Sequence, residues 1–295
     1  MIKEMTKGMR TDLLTKTAGI LLSASIAVTS PTASAQDGGS GDSELPRPVT
    51  ATYGIGIGGE NAYSSYLSPL VYDGTVVTLF GDWRKALSFS PENAVMEFSA
   101  NVGGAWMHNP PVTTTMLDVD MGFSWGMAWR KRLPRSLQLT AGGDVILDGG
   151  CLWLTSNGNN PVSARAFAAV AAKGSISWHT RIGRLPALVA DAVRVPLAGL
   201  FFSPEYGETY YEIYLGNHSG LVHPAWPGTH FSLTNHLTVS LDFGRTAMQV
   251  GYRFEANTSW ANHISTRIFR HIFTIGVIPG GLGLKRKAKT NSALF

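Results

Sequence analysis

Three groups of residues have the types and spacing that chemistry would need. Asn217, His218 and Ser219 stand side by side in YYEIYLGNHSGLVHP, residues 210–224. A serine nucleophile needs a base within hydrogen-bond reach, and on a strand only residues i and i+2 share a face. His218 and Ser219 would therefore point apart. His230 and Ser232 have the right spacing for a strand-borne lipid hydrolase using a His/Ser pair. Their strand, however, places both on its polar side, whereas a lipid substrate calls for the apolar one. The four histidines His218, His223, His230 and His236 match no common metal-ligand spacing, and no cysteine joins them. GIGIGG, residues 54–59, has the glycine spacing of a dinucleotide fingerprint. That motif must open a helix whose N-terminus holds the pyrophosphate. Here ENAYSSYLSPL follows, which has no amphipathic helical pattern, and glycine in a strand more simply relieves crowding. No catalytic residue, metal or cofactor is therefore assigned, and a non-enzymatic protein is expected.

The elements that would position such residues are strands. In MLDVDMGFSWGMAW the odd positions are Leu117, Val119, Met121, Phe123, Trp125, Met127 and Trp129, while the even ones are acidic or small. FSLTNHLTVSLDF, MQVGYRFEA and AVMEFSANVGGAW repeat this period of two, which marks a sheet with one apolar and one polar face. Ten strands are read, near 50–59, 75–86, 94–107, 115–131, 135–149, 164–181, 187–203, 230–243, 247–257 and 263–278. The strand at 187–203 alternates poorly around Pro196, and the last strand reads as shifting face midway. Twelve strands would follow if 62–72 and 208–216 also paired.

Strands this long exceed the soluble norm of about 5–6 residues. Tight turns at 132, 183 and 244 alternate with longer connections at 108–114, 150–163 and 204–229. That rhythm belongs to an all-β, transmembrane, antiparallel up-and-down barrel of the outer membrane, with short periplasmic turns and long outer loops. Trp83, Trp129 and Trp178 fall near one end of their strands and Trp106 near the other, where indoles favour membrane interfaces. The apolar face must then meet lipid. The lumen receives the polar face, with Glu97, Asp118, Asp120, Lys173, Arg253 and Glu255 as its charged residues. In a narrow barrel these should pair and largely fill the interior.

The chain has 295 residues, a formal charge of +4 and a single cysteine, Cys151. Lys3, Lys7, Arg10 and Lys16 precede the apolar run AGILLSASIAV and the small-residue triplet ASA at 33–35. Residues 1–35 thus read as a signal peptide cleaved after Ala35. Its removal would lower the charge to +2. No basic patch with interleaved aromatics points to nucleic acid. Residues 36–48 read as a flexible leader, 49–280 as the barrel and 281–295 as a basic periplasmic tail. The 204–229 connection carries Tyr206, Tyr210, Tyr211, Tyr214 and Trp226, aromatics suited to ligand or surface contact or to capping the barrel. Expected partners are outer-membrane lipid, the barrel-assembly machinery and a small polar ligand. The expected role is surface or ligand contact, or a narrow transport path.

Two segments also resemble an uncharacterised family of Bacteroidota outer-membrane β-barrels. Tyr66 to Leu70 match its early Tyr-Leu-Ser-Pro-Leu segment. Tyr210 to Gly220 match its late Tyr-Tyr-Glu-x-x-x-Leu-Gly-Asn-x-Ser-Gly segment. The resemblance implies an outer-membrane barrel and no activity. Such barrels often end on an aromatic, and Phe295 is terminal, but GGLGLKRKAKTNSALF separates it from the last strand.

Overall fold

The computed structural model describes residues 49–282. The expected signal peptide (1–35), the expected leader (36–48), Phe295 and the part of the expected basic tail beyond Leu282 lie outside these residues. Within them, β1 (Val49–Ser64), β2 (Tyr72–Ala86), β3 (Ala94–His108), β4 (Thr115–Leu133), β5 (Leu137–Leu154) and β6 (Val162–Ile182) each pair antiparallel with the next. β7 (Leu185–Phe202) follows β6. A short helix α1 (Tyr210–Tyr214) and a short strand β8 (Val222–Ala225) come next. β9 (His230–Asp242), β10 (Thr246–Ala261) and β11 (Ile264–Pro279) complete the sheet. β11 pairs with β1 from Val277↔Tyr53 to Thr266↔Ser64, and this closes a barrel of ten strands, with β8 an extra piece on β7. The architecture is that of an outer-membrane-type β-barrel. Segments 62–72 and 208–216 add no strands. The first holds the end of β1 and a turn, and the second carries α1, so the twelve-strand count is excluded.

The strands alternate because their two faces meet different surroundings. Val119, Met121, Phe123, Trp125, Met127 and Trp129 of β4 point outward and are exposed. Asp118, Ser124, Ala128 and Arg130 point inward and are buried. Trp129, Trp178 and Trp83 lie near the end that carries the turns 134–136 and 183–184. Trp106, Trp153 and Trp260 lie near the opposite end. Trp106 pairs with Leu117, twelve residues before Trp129 on β4. At about 3.3 Å per residue and a tilt of about 40°, that separation spans about 30 Å, the thickness of a bilayer's hydrocarbon core.

Two irregularities in the sequence pattern have structural causes. In β7 the register against β6 steps from Val170↔Ala198 to Ala171↔Pro196, which leaves Leu197 as a bulge. Inward positions are even before it, as at Arg194, and odd after it, as at Phe201, so the alternation breaks without any loss of strand. Proline is tolerated there because a bulge releases one ladder bond. β9 pairs with β7 only between Thr234↔Arg194 and Leu241↔Ala187, and β8 takes over at Gly199–Phe202. In β11 no face shift occurs, contrary to the sequence reading. Its register is unbroken, and Ile264, Ile268, Arg270, Ile272 and Thr274 all point inward and are buried. The apparent shift arose because three of those five inward residues are isoleucines.

The turn and loop lengths also depart from strict alternation. Residues 87–93 form a seven-residue connection at the turn end. The β10–β11 hairpin at the loop end has only Asn262 and His263, with φ of 49° and 62°. Those angles suit a two-residue turn that follows strand twist.

GIGIGG serves closure. A Cβ on Gly58 would lie 1.8 Å from the His271 carbonyl oxygen, and one on Gly54 would strike the Phe80 ring and the Ile275 carbonyl. Only glycine lets β1 and β11 approach to ladder distance over this stretch. Gly58→Val should therefore abolish closure. On a gel, the shifted band that a folded barrel gives without boiling should be lost, whereas Gly59→Ala, with open space at its Cβ, should keep it.

Candidate functional site: the filled lumen and its cap

The interior is organised as layers. At mid-barrel, Arg270 of β11 reaches Glu60 (2.7 Å), Asp118 (2.8 Å), Asp120 (2.7 Å) and Glu255 (3.4 Å). Glu60 is its register partner across the closing seam. Asp118, only 1% exposed, also pairs with Arg165. A second group lies further toward the turn end. Lys173 pairs with Glu97 and lies 2.6 Å from Asp144, Arg194 lies 3.0 Å from Asp144, and Arg84 lies 3.2 Å from Glu97. Arg194 also donates to Ser124 Oγ at 3.0 Å. Arg253 stacks over Phe80 at 4.8 Å and lies 3.9 Å from Glu255. Charges at this depth persist only when paired and hydrogen-bonded.

Apolar layers close this polar middle on both sides. At the loop end Ala62, Leu67, Tyr72, Met107, Met116, Leu152, Leu154 and Ile268 form one buried cluster inside the barrel. At the turn end Leu282 packs on Leu188, Ala247 and Ile278. The chain bends into that position through Gly280 and Gly281, with φ of 86° and 69°. Between the layers lie cavities of about 290 Å³ and about 80 Å³, which share Asp82, Arg84, Glu97 and Thr140 in their walls.

The six charged residues expected in the lumen all point inward, and they form parts of these two groups. Sequence reading missed Glu60, Arg165, Arg194 and Arg270, which tie the groups together. Glu60 follows a glycine run that shows no polarity pattern. Arg270 sits among inward isoleucines, and Arg194 lies just before the bulge. Strict parity counted from β10 across the two-residue hairpin would have turned Arg270 inward.

The long connection after β7 crosses the barrel mouth. The Tyr66 hydroxyl, from the β1–β2 loop, donates to the Glu208 carbonyl at 2.6 Å, and its ring meets Tyr210 edge-on at 6.2 Å. The Tyr210 hydroxyl accepts from the Ala164 backbone N–H on β6 at 2.6 Å. β1 and β6 lie on opposite sides of a ten-strand ring, so these contacts bridge the mouth. Thr209 and Glu212 form a reciprocal capping box that starts α1. Asn217 donates to the Glu208 carboxylate at 2.6 Å, which anchors the turn that carries His218 and Ser219. Those two are exposed and touch no catalytic partner. Of the five aromatics expected in this loop, Tyr210 faces inward as a strut. Tyr206, Tyr211, Tyr214 and Trp226 face solvent.

The His/Ser pair is not assembled. Ser232 is on the same inward face as His230, yet the imidazole stacks on Phe167 at 3.9 Å and its Nδ1 has no hydrogen-bond partner. Among the described residues no group of three or more His, Cys, Asp or Glu side chains is placed to hold a metal ion.

The strut residues titrate unusually. Burial pushes the Tyr66 phenol up to about 12, helped by Tyr210 and the nearby carboxylates. Burial also raises Tyr210, against the Ala164 N–H that favours its ionised form. Hydrogen bonds from the Thr209 backbone and side chain hold Glu212 below its ordinary value. The raised Tyr66 value means that the docked state keeps its proton longer than the free chain does. The stabilisation that the protonated Tyr66 gives to docking is therefore fully present below pH 10 and is lost as pH rises from 10 toward 12. Protease cleavage beside Tyr214 should rise over that window. Tyr66→Phe should raise cleavage about tenfold at neutral pH, the loss of one net hydrogen bond, and should flatten the pH response.

Solved structures to which the chain is similar include three autotransporter barrels. The first is the transport unit of the autotransporter AIDA-I from Escherichia coli, at 5% identity over 78% of this chain and 90% of that one, with a TM-score of 0.42. The beta domain of the Bordetella autotransporter BrkA has 10% identity over 79% and 99%, with a TM-score of 0.39. The translocator domain of the autotransporter NalP from Neisseria meningitidis has 7% identity over 78% and 88%, with a TM-score of 0.37. Such scores say nothing of role, and the barrel stands on its own strand pairing. No curated protein matches the sequence. The family model described as "Protein of unknown function (DUF3316)" matches residues 20–287, and the chain belongs to that family.

Proposed function

We propose that the protein is an integral outer-membrane barrel, exported by a signal peptide, with its loops outside the cell and its turns in the periplasm. Its role is non-enzymatic. The lumen is a shut polar chamber on a narrow path that holds or passes a small polar solute, and the aromatic loop caps it and contacts the surroundings. One observation carries this reading: Arg270 joins four carboxylates from β1, β4 and β10 across the interior. A general diffusion pore keeps its charges on the wall and its centre wet. Here the charges meet in the middle, with an apolar layer above them.

An outer-membrane location fits the apolar outer belt and the two tryptophan girdles. A lipid hydrolase built on His230 and Ser232 finds less support, because the imidazole is committed to Phe167. Purified protein should release no fatty acid from phospholipid vesicles. Release that disappears in Ser232→Ala would reverse the assignment.

In planar bilayers the wild-type protein should show no sustained conductance. Arg270→Met leaves four carboxylates facing one another and should destabilise the barrel by about 3–5 kcal/mol, the cost of breaking a buried ion pair from one side. Adding Asp118→Asn and Glu60→Gln should restore part of that stability and introduce flickering, cation-preferring current. A large, steady wild-type conductance would overturn the shut-lumen reading.

A further inference from the structure

Arg130 lies on the inward face of β4 near the turn end and is only 4% exposed. Its backbone N–H is bonded to the Asn93 carbonyl. Among the described residues its guanidinium has no hydrogen-bond partner: Nε, Nη1 and Nη2 are all buried and unbonded. The other two buried arginines among the described residues, Arg253 and Arg270, each have a carboxylate beside them. A guanidinium carries five donors and cannot shed its charge. Left unmatched, it is among the costliest groups a protein interior can hold.

The space before it has the character of an anion site. Arg130 lines the cavity of about 80 Å³, together with Arg84. Much of the remaining wall is hydroxyl and amide, including Thr52, Gln138, Thr140 and Ser177. Two acidic residues face the same cavity, Glu97 and Asp82. Glu97 is already matched by Arg84 and Lys173. Among the described residues Asp82 has no ion pair, and it reduces, without cancelling, the positive character of the site. A guanidinium fork beside hydroxyl donors fits a planar or tetrahedral oxyanion, to which it can give two parallel hydrogen bonds.

We propose that this cavity is a binding site for a small oxyanion, a phosphate or carboxylate group, with Arg130 as its principal ligand and Arg84 and the threonine and glutamine side chains around it. The site deepens the chamber reading by naming the chemical class of the solute, and it rests on that reading only for the solute's route through the barrel.

The test uses the full folded chain in detergent, in chloride buffer at neutral pH and constant ionic strength. It measures heat of binding and melting temperature with inorganic phosphate, acetate and sulfate. Saturable binding and a rise in melting temperature are expected with at least one of the three. Arg130→Met should abolish both, and Arg130→Lys should weaken binding about tenfold while keeping it saturable. Asp82→Asn should tighten binding, because it removes a competing negative charge.

In chloride alone, Arg130→Met should melt no lower than wild type, since an unmatched buried charge has been removed. A merely structural arginine would give the opposite sign. The proposal is overturned if none of the three anions binds saturably. It is also overturned if the Met variant responds to them as wild type does, or if Asp82→Asn abolishes the response, which would make Asp82 the true partner. None of these readouts depends on current through a bilayer, so a conducting barrel could fail the shut-lumen reading while this site stood, and the reverse.

Discussion

Closure of the sheet between β1 and β11 is the constraint on which everything else rests. In hydrocarbon an unpaired strand edge leaves a row of N–H and C=O groups without partners, and only a ring of strands removes it. Here the ring closes through a twelve-pair ladder that needs glycine at the β1 positions where a side chain would enter the β11 backbone. The same ladder sets Glu60 opposite Arg270, so the act of closing also builds the centre of the interior. Backbone pairing and lumen charge are thus two consequences of one register.

A ten-strand ring is too narrow for a wide channel and too wide to be filled by small side chains. The interior solves this in layers. Long charged residues span the middle, where Arg270 and Lys173 each serve more than one carboxylate and Arg194 links Asp144 to Ser124. Apolar residues seal the loop end beneath the Tyr66–Tyr210 strut, and Leu282 seals the turn end. A charge in such a place is tolerated because its partners come from several strands and are held by the wall. That gives Arg130 its significance: it has the same burial as the paired arginines without their partners, and it borders a cavity.

The loop after β7 illustrates how a local break becomes a cap across the barrel mouth. The bulge at Leu197 and the early end of the β7–β9 ladder free the chain above the wall. β8, α1 and the turn at Asn217 then use that slack to cross the mouth. Sequence reading took this stretch for a loop because four residues of strand and five of helix are too short to show a period. Its aromatics were visible as a group. Their division into one inward strut and several solvent-facing rings was not, because it depends on where β6 and the β1–β2 loop stand in space.

The sequence by itself determined that the chain is a barrel of about ten strands, and it determined which face of most strands meets lipid. These are local properties. A side chain's face follows from its parity along a strand, and the bilayer accepts only apolar groups. Parity misled only at Leu197, where one extra residue inverts it, and in β11, where isoleucines face inward beneath the cap. Tertiary structure alone decided which inward charges meet. Arg270 finds Glu60 and Asp118 across 210 and 152 residues of chain, because closing the ring brings its last strand to its first. It also left the Arg130 guanidinium without a hydrogen-bond partner among the described residues. Pairing in a lumen is set by height and position around the ring, and neither coordinate exists until the strands are registered against one another.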